Sequence, residues 1–289
     1  MARSAVKKER AVEIEVVEIE QTEADFYLVG SSPFICNRVA EKAKRELLFP
    51  RGTLTKAQKA SQLKHEPLQE FRDSAYTRRT NTGPTRVQMK ATAIKGAVSQ
   101  SAIDMPTDIA RAQIDRLVYV VDEMIDIWGI PMLNMDVVRN SDIGRTPDIR
   151  TRAKIFPWAS KITLRFAVPM LSLQSISTLL RASGKICGIG DFRQQKGKGS
   201  NGLYEVFHEP TPEWERIVAE GGLKQQDEAF KNVVCSDPDS EDLLEWWQSE
   251  VKRRRTPARK PEADVAPELV AEQEKRTRPR RSVNGGPTA

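Results

Sequence analysis

The sequence predicts an α+β fold, and three observations predict it. Runs of period-two alternation mark strands, runs of helical spacing mark helices, and the two follow one another without regular βα alternation. The chain has 289 residues, 39% of them hydrophobic, enough for one large domain or two small ones. No run of about 18 apolar residues occurs, so no membrane span is expected. The opening "MARSAVKKER" is basic but precedes no apolar run, and does not read as a secretory signal.

Each element has its own signal. "VEIEVVEIEQ" (12–21) alternates apolar and acidic residues, as a strand with one buried face does. "FYLVG" continues it and "SSPF" breaks it. Arg38 to Leu48 has helical spacing at Val39, Ala43, Leu47 and Leu48. Residues 50–86 are polar, with Pro50, Gly52, Pro67, Gly83 and Pro84, and predict a long functional loop carrying His65, Arg72, Arg78, Arg79 and Arg86. "RVQMK" predicts a short strand, and "ATAIKGAVSQSAI" a helix capped by Thr92. "DRLVYVVDEMIDIW" mixes two periods and predicts a further strand. Residues 134–158 predict a long hairpin or projecting arm, with Phe156 and Trp158 in the core. "KITLRFAV" is a strand, and "SLQSISTLLRASG" a helix with Ser172 as cap and Gly184 as terminator. A glycine-rich loop and the strand "LYEVF" follow.

This order fits a split βαβ, ferredoxin-like core with insertions over residues 11–208, after a flexible 1–10. "TPEWERIVAEGG" and "SEDLLEWWQSEVKRRR" predict helices in an acidic extension, 209–251. Residues 252–289 are rich in Pro, Glu, Arg and Ala and predict a disordered tail.

The net charge of +6 is unevenly placed. Residues 252–289 hold eleven Lys/Arg against five Asp/Glu, while 209–251 hold three against twelve, which leaves a basic body at 1–208. A basic body favours an anionic partner, nucleic acid first. Cys36, Cys187 and Cys235 are far apart and in no metal-ligand spacing, as reduced thiols of a cytoplasmic protein are. His65 and His208 have no ligand-spaced neighbours, so neither a metal nor a cofactor is expected.

The glycine loop, "ICGIGDFRQQKGKGSNGLYEV", has five glycines. It is no dinucleotide fingerprint, because Arg193 stands where a third glycine is needed and the loop follows a helix. It is no Walker loop either, because Gly199 follows Lys198 where Ser or Thr belongs. Glycine lets backbone N–H groups approach phosphates, and consecutive amides form an anion-binding concavity. The expected contacts are Gly188, Gly190, Gly197 and Gly199 through backbone, Arg193, Lys196 and Lys198 through charge, and Phe192 by stacking on a base. Arg139, Arg145, Arg150, Arg152 and Lys154 repeat the basic chemistry on the arm, where phosphate contacts fix position rather than sequence.

"QMKATAIKGAVSQSA" resembles the segment of RAMP-superfamily proteins where a strand ends and a helix opens on a small-residue turn before Ile/Leu-Lys-Gly, here Ile94, Lys95 and Gly96. "GIGDFRQQKGKGSNGLYEV" resembles the glycine-rich loop before that superfamily's last core strand, although its end, Gly199 to Tyr204, is longer than the usual pattern. The layout from "SSPFICNRVAEKAKREL" to "GLYEV" is also similar to a set of phage-encoded proteins. The superfamily includes backbone subunits of CRISPR effector complexes. The resemblance implies an RRM-like core, single-stranded RNA held along a row of subunits, a thumb formed by the arm, and Lys95 beside the RNA.

The expectation is a cytoplasmic, phage- or mobile-element-encoded protein that binds single-stranded nucleic acid, RNA in preference to DNA, without catalysis. It forms a filamentous homo-oligomer along the strand, alone or with other proteins of a ribonucleoprotein complex. Two alternatives belong to other classes. One is an RNA endonuclease of the same fold with His65 as base. The other is a scaffold or inhibitor that mimics a CRISPR backbone subunit and docks through Asp237–Glu245.

Overall fold

A computed structural model describes residues 18–48, 63–105, 110–139, 146–196 and 199–255. Strand residues 12–17, Arg145, Gly197, Lys198 and tail residues 256–289 lie outside the described residues. The described residues up to Trp247 form one compact unit, and those from Gln248 belong to a second.

In chain order the elements are β1 (Glu20–Gly30), β2 (Phe34–Ile35), α1 (Glu41–Leu48), α2 (Pro67–Asp73), β3 (Tyr76–Thr77) and β4 (Val87–Lys90). Next come α3 (Ala91–Asp104), α4 (Arg111–Leu117), β5 (Val118–Val120), β6 (Met124–Trp128), β7 (Pro131–Arg139), β8 (Pro147–Ile155) and β9 (Ala159–Val168). The chain continues through α5 (Leu173–Ala182), β10 (Tyr204–Phe207), α6 (Pro212–Glu220), α7 (Leu223–Lys231) and α8 (Pro238–Arg255).

The main sheet has the order β10-β1-β9-β6-β4-β3, with β5 also on β9. Every pairing in it is antiparallel. Strand β1, helix α3, the β5/β6 pair, strand β9, helix α5 and strand β10 thus trace a split βαβ repeated twice, with β1 and β9 at the centre. The fold is α+β with a ferredoxin-like core. A second sheet, β2-β8-β7, holds the arm, a nine-by-nine hairpin with Pro131 opposite Ile155 and Arg139 opposite Pro147. It enters between β6 and β9, slightly earlier in the chain than the predicted 134–158.

Alternation decides which face is buried. Phe26 and Leu28 of β1, Ile162, Leu164 and Phe166 of β9, and Val206 of β10 point at the helices and are nearly inaccessible. Opposite them α3 contributes Ile94, Ala97 and Val98, and α5 contributes Ile176, Leu179 and Leu180. Burying one such side chain stabilises the fold by about 1.5–3 kcal/mol. The helices cross closely enough for Ser101 Oγ to donate to the Leu179 carbonyl, at 3.1 Å.

Phe156 is half exposed, not core, whereas Trp158 is fully buried and donates to the Ser32 carbonyl at 2.8 Å. Ser172 caps α5 as expected. Gly184 does not end that helix: a single π-helical turn, Ser183–Cys187, carries it on to Gly188, which adopts positive φ. Thr92 does not cap α3, which begins one residue earlier at Ala91.

The acidic extension is bound into the unit. Gln226, wholly buried, accepts from the amides of Arg86 and Val87 at 2.8 Å each. Its Nε2 donates to the carbonyls of Ile127, Gly129 and Gly221 at 2.8, 2.9 and 3.0 Å. Beside it, Arg86 pairs with both carboxylate oxygens of Asp227, at 2.6 and 2.9 Å. Two arginines of the predicted functional loop are therefore structural: Arg86, and Arg78, which holds Asp126 at 2.7 Å. That loop also contains α2 and β3. In the second unit, residues 252–255, assigned to the tail by composition, are the end of α8. Glu250 pairs there with Arg253 and Arg254 at 2.6 and 2.7 Å, and their hydrogen bonds lower its carboxyl to about 2.

Candidate nucleic-acid interface

The sheet face away from α3 and α5 is the first surface to weigh. Its exposed rows carry Glu23, Asp25 and Tyr27 on β1 and Lys161, Thr163 and Arg165 on β9. They neutralise one another. Lys161 meets Asp25 at 2.7 Å, Thr163 donates to Asp25 at 2.6 Å, and Arg165 donates to Glu23 at 2.8 Å. The same cations lie over the rings of Tyr27 and Tyr119, at 5.6 and 5.8 Å. Hydrogen bonds from Lys161 and Thr163 hold the Asp25 carboxyl below its usual range. Trp214 of α6 packs edge-on against Tyr27 at 5.1 Å and covers one end. On these two rows each cation is paired with a carboxylate, while the Tyr119 ring stays more than half exposed beside Arg165.

The glycine loop lies elsewhere, against the chain after β1. The amide of Asp191 donates to the Ile35 carbonyl at 2.9 Å, that of Gly202 to Pro33 at 2.7 Å, and that of Ile189 to Gly202 at 3.0 Å. Gly188 donates to Ser183 and Asn201 to Phe192. Two of the glycines are required by close approach. Gly190 has φ +86°, and a Cβ there would stand 2.6 Å from the Ile35 carbonyl oxygen. Gly202 has φ +74°, and its Cβ would collide with the Ile189 carbonyl. Only glycine takes such a conformation without cost. The expected cradle of free amides is thus absent at positions 188, 189, 191, 201 and 202, whose donors are spent inside the protein. The loop presents side chains instead: Phe192, itself at positive φ, is 42% exposed, and Arg193 is half-buried. Gly199 lies against the Phe192 carbonyl, and Lys196 ends a short 3-10 turn.

Strand β8 ties the arm to this loop. Arg152 Nε lies 2.9 Å from Asp191 Oδ2, an ion contact not aligned as a hydrogen bond, and its Nη1 donates to the Cys36 carbonyl at 3.0 Å. Burial lowers the Arg152 pKa from its ordinary value, against the pull of Asp191. Arg152 is therefore an internal strut rather than a free phosphate contact. Lys154 is engaged too, donating to Asn134 at 3.3 Å. Arg139 and Arg150 are exposed on the hairpin.

The loop meets the start of α3 across a cleft of about 200 Å³. Phe34 of β2 and Met89 of β4 are buried and form its apolar floor. Tyr76 of β3 stands at one wall, with the Lys90 ammonium 5.4 Å over its ring. Gly190 and Arg193 form the opposite wall, and Asn37, Thr92 and Ala93 complete the rim. Among the described residues, the lining holds two cations and no carboxylate. No side chain caps α3 here. Lys95 lies one turn further along that helix and does not line the cleft.

Of the residues singled out in the sequence, Gly190 and Arg193 line this cleft, and Lys90, Tyr76 and Asn37 join them without having been singled out. Lys90 had a signal, as the junction residue between the predicted strand "RVQMK" and the helix. Tyr76 and Asn37 had none, because they arrive from elements two residues long or from none.

His65 lies in the irregular chain just before α2 and is only partly exposed. Its Nδ1 lies 3.0 Å from Glu70 Oε1 and its Nε2 2.9 Å from Asp148 Oδ1. Asp148 also meets Lys64 at 2.5 Å. Burial raises the Asp148 carboxyl, but the hydrogen bonds from Lys64 and His65 outweigh it and leave it below its ordinary value. The ring thus bridges Glu70 of α2 and Asp148 of β8 as a clasp between the two elements. Among the described residues, no group of His, Cys, Asp and Glu could hold a metal ion, and no helix is long and apolar enough to cross a membrane.

No protein-family model matches the chain, and no curated protein does. Among solved structures, the chain is similar to one from the cryo-EM structure of the Type III-B Cmr-beta bound to cognate target RNA. The two are 11% identical with a TM-score of 0.31, over 65% of this chain and 59% of that one. At that score the assignment of a ferredoxin-like core stands on the strand order alone.

Proposed function

We propose that the chain is a single-stranded nucleic-acid-binding protein, with RNA preferred over DNA, that acts without catalysis. The observation that carries this reading is the cleft between the glycine loop and α3, where Lys90 and Arg193 face a space with no carboxylate in its lining. A strand entering there meets two uncompensated cations, then the exposed Arg150 and Arg139 of the arm. The resemblance to RAMP-superfamily segments at "ATAIKG" and "GIGDFR" supports it, since these two stretches meet at the cleft. Copies line up along one strand, because neighbouring contacts make binding cooperative. The role of a phage- or mobile-element-encoded cytoplasmic protein within a ribonucleoprotein complex belongs to the same proposal.

The rival endonuclease reading needs His65 as a base, and both of its ring nitrogens face carboxylates instead. Fluorescence anisotropy with labelled 12- and 40-nucleotide single strands, RNA and DNA, tests the proposal. Expected is submicromolar, cooperative binding to the longer RNA, weaker binding to DNA, and no cleavage. Absence of binding to any strand at low salt overturns it.

A further inference from the structure

Resting on that reading, we infer that the cleft between Tyr76 and Arg193 is a base-selective subsite for one nucleotide, adenine-preferring, and not merely a phosphate contact. Its volume, about 200 Å³, is below the roughly 300–1,000 Å³ of sites for drug-sized ligands. It admits one base, with the sugar and phosphate left at the open mouth, and excludes a duplex.

The chemistry of the wall is divided. One side is apolar and aromatic: Phe34, Met89 and the Tyr76 ring. A phosphate alone has no use for such a surface, whereas a base stacks on it. The cations are Arg193, on the opposite wall, and Lys90, beside the ring. The Lys90 ammonium, parked over the Tyr76 ring, gives up that contact when a base takes the ring, and is then free for the phosphate that arrives with the base. Arg193 is held at the mouth through Gln195, at 3.0 Å from its Nε. Both cations reach one ligand without crossing a carboxylate, because the nearby Asp191 is paired with Arg152.

Asn37 supplies the selectivity. It is exposed on the rim, and its amide has no hydrogen-bond partner among the described residues. A free carboxamide offers one donor and one acceptor side by side, the match for adenine N7 and N6. The Thr92 hydroxyl, likewise without a partner, stands on the same rim.

The test uses the full chain, isothermal titration with AMP, UMP and inorganic phosphate, and anisotropy with 12-nucleotide oligoadenylate and oligouridylate. Wild type is expected to bind AMP at least tenfold more tightly than inorganic phosphate, and several-fold more tightly than UMP. Tyr76→Ala should cost AMP about tenfold and leave inorganic phosphate unchanged, while Tyr76→Phe, which keeps the ring, stays near wild type. Asn37→Ala, at an exposed position, should erase the preference for AMP over UMP. Lys90→Ala with Arg193→Ala should weaken both nucleotides and phosphate. If wild type binds both oligomers alike, and neither Tyr76→Ala nor Asn37→Ala changes the binding, the subsite is overturned while strand binding stands. If wild type binds neither oligomer, both readings fall.

Discussion

Cys36 is buried beside β8, and burial pushes its thiol up to about 12; Cys187, also buried, is raised to about 11. Cys235 is only partly covered. Reactivity follows the thiolate and its access. A neutral aromatic disulfide at pH 8 should therefore modify Cys235 alone in the native protein and all three thiols in urea. Native modification of Cys36 at the same rate as Cys235 would contradict this burial. Asp227 offers a pH test. The Arg86 hydrogen bond holds its carboxyl below the ordinary 3.8. A depressed folded pKa means that the pair stabilises above about pH 4 and loses its effect as pH falls through the folded value. Wild type should melt above Asp227→Asn at pH 7, and the gap should begin to narrow as pH falls below about 4. Equal melting of the two proteins at pH 7 contradicts the pairing.

At the scale of elements, Gln226 is the fastening between α7 and the β4–β6 edge. Removing its side chain leaves buried amides and carbonyls without partners, each worth about 1–3 kcal/mol when desolvated. Gln226→Ala should lower stability by about 3–5 kcal/mol, read as a shifted urea midpoint at constant slope. A loss below about 1 kcal/mol would show that water replaces it. Most core elements were legible, because burial imposed a strong period: "KITLRFAV" and "SLQSISTLLRA" could hardly fold otherwise. Illegible were β2, β3 and α7. The first two are too short to have a period, and α7, "LKQQDEAFK", hides its anchoring residue as a glutamine, which reads as solvent-facing. The site was half legible for the same reason. Glycines and charges show in sequence, but whether a loop amide is already spent depends on Pro33 and Ile35, more than 150 residues away. The arm arginines likewise gave no sign that Arg152 turns inward.

For the whole molecule, charge placement separates two faces. Lys161 and Arg165 on the open sheet face are ion-paired whereas Lys90 and Arg193 at the cleft are not, so counting basic residues does not locate binding. Exchanging Lys161 and Arg165 for Gln should leave strand affinity within about twofold. Lys90→Ala with Arg193→Ala should instead flatten the salt dependence by up to about 1.4 in logarithmic slope, roughly 0.7 per lost phosphate contact on a single strand. Equal effects from the two pairs would move the binding surface onto the sheet.

The Gln226 fastening also sets an order of events during synthesis. The amides of Arg86 and Val87 emerge from the ribosome some 140 residues before the side chain that will satisfy them. Until then, the growing chain can close its β1–β9 pair but leaves the far edge of the sheet raw. A message truncated before codon 226 would yield a chain with most of its core sequence and no means of sealing that edge, an object for proteases rather than a smaller working domain. The acidic segment that composition sets apart is, in time as well as in space, the last stitch.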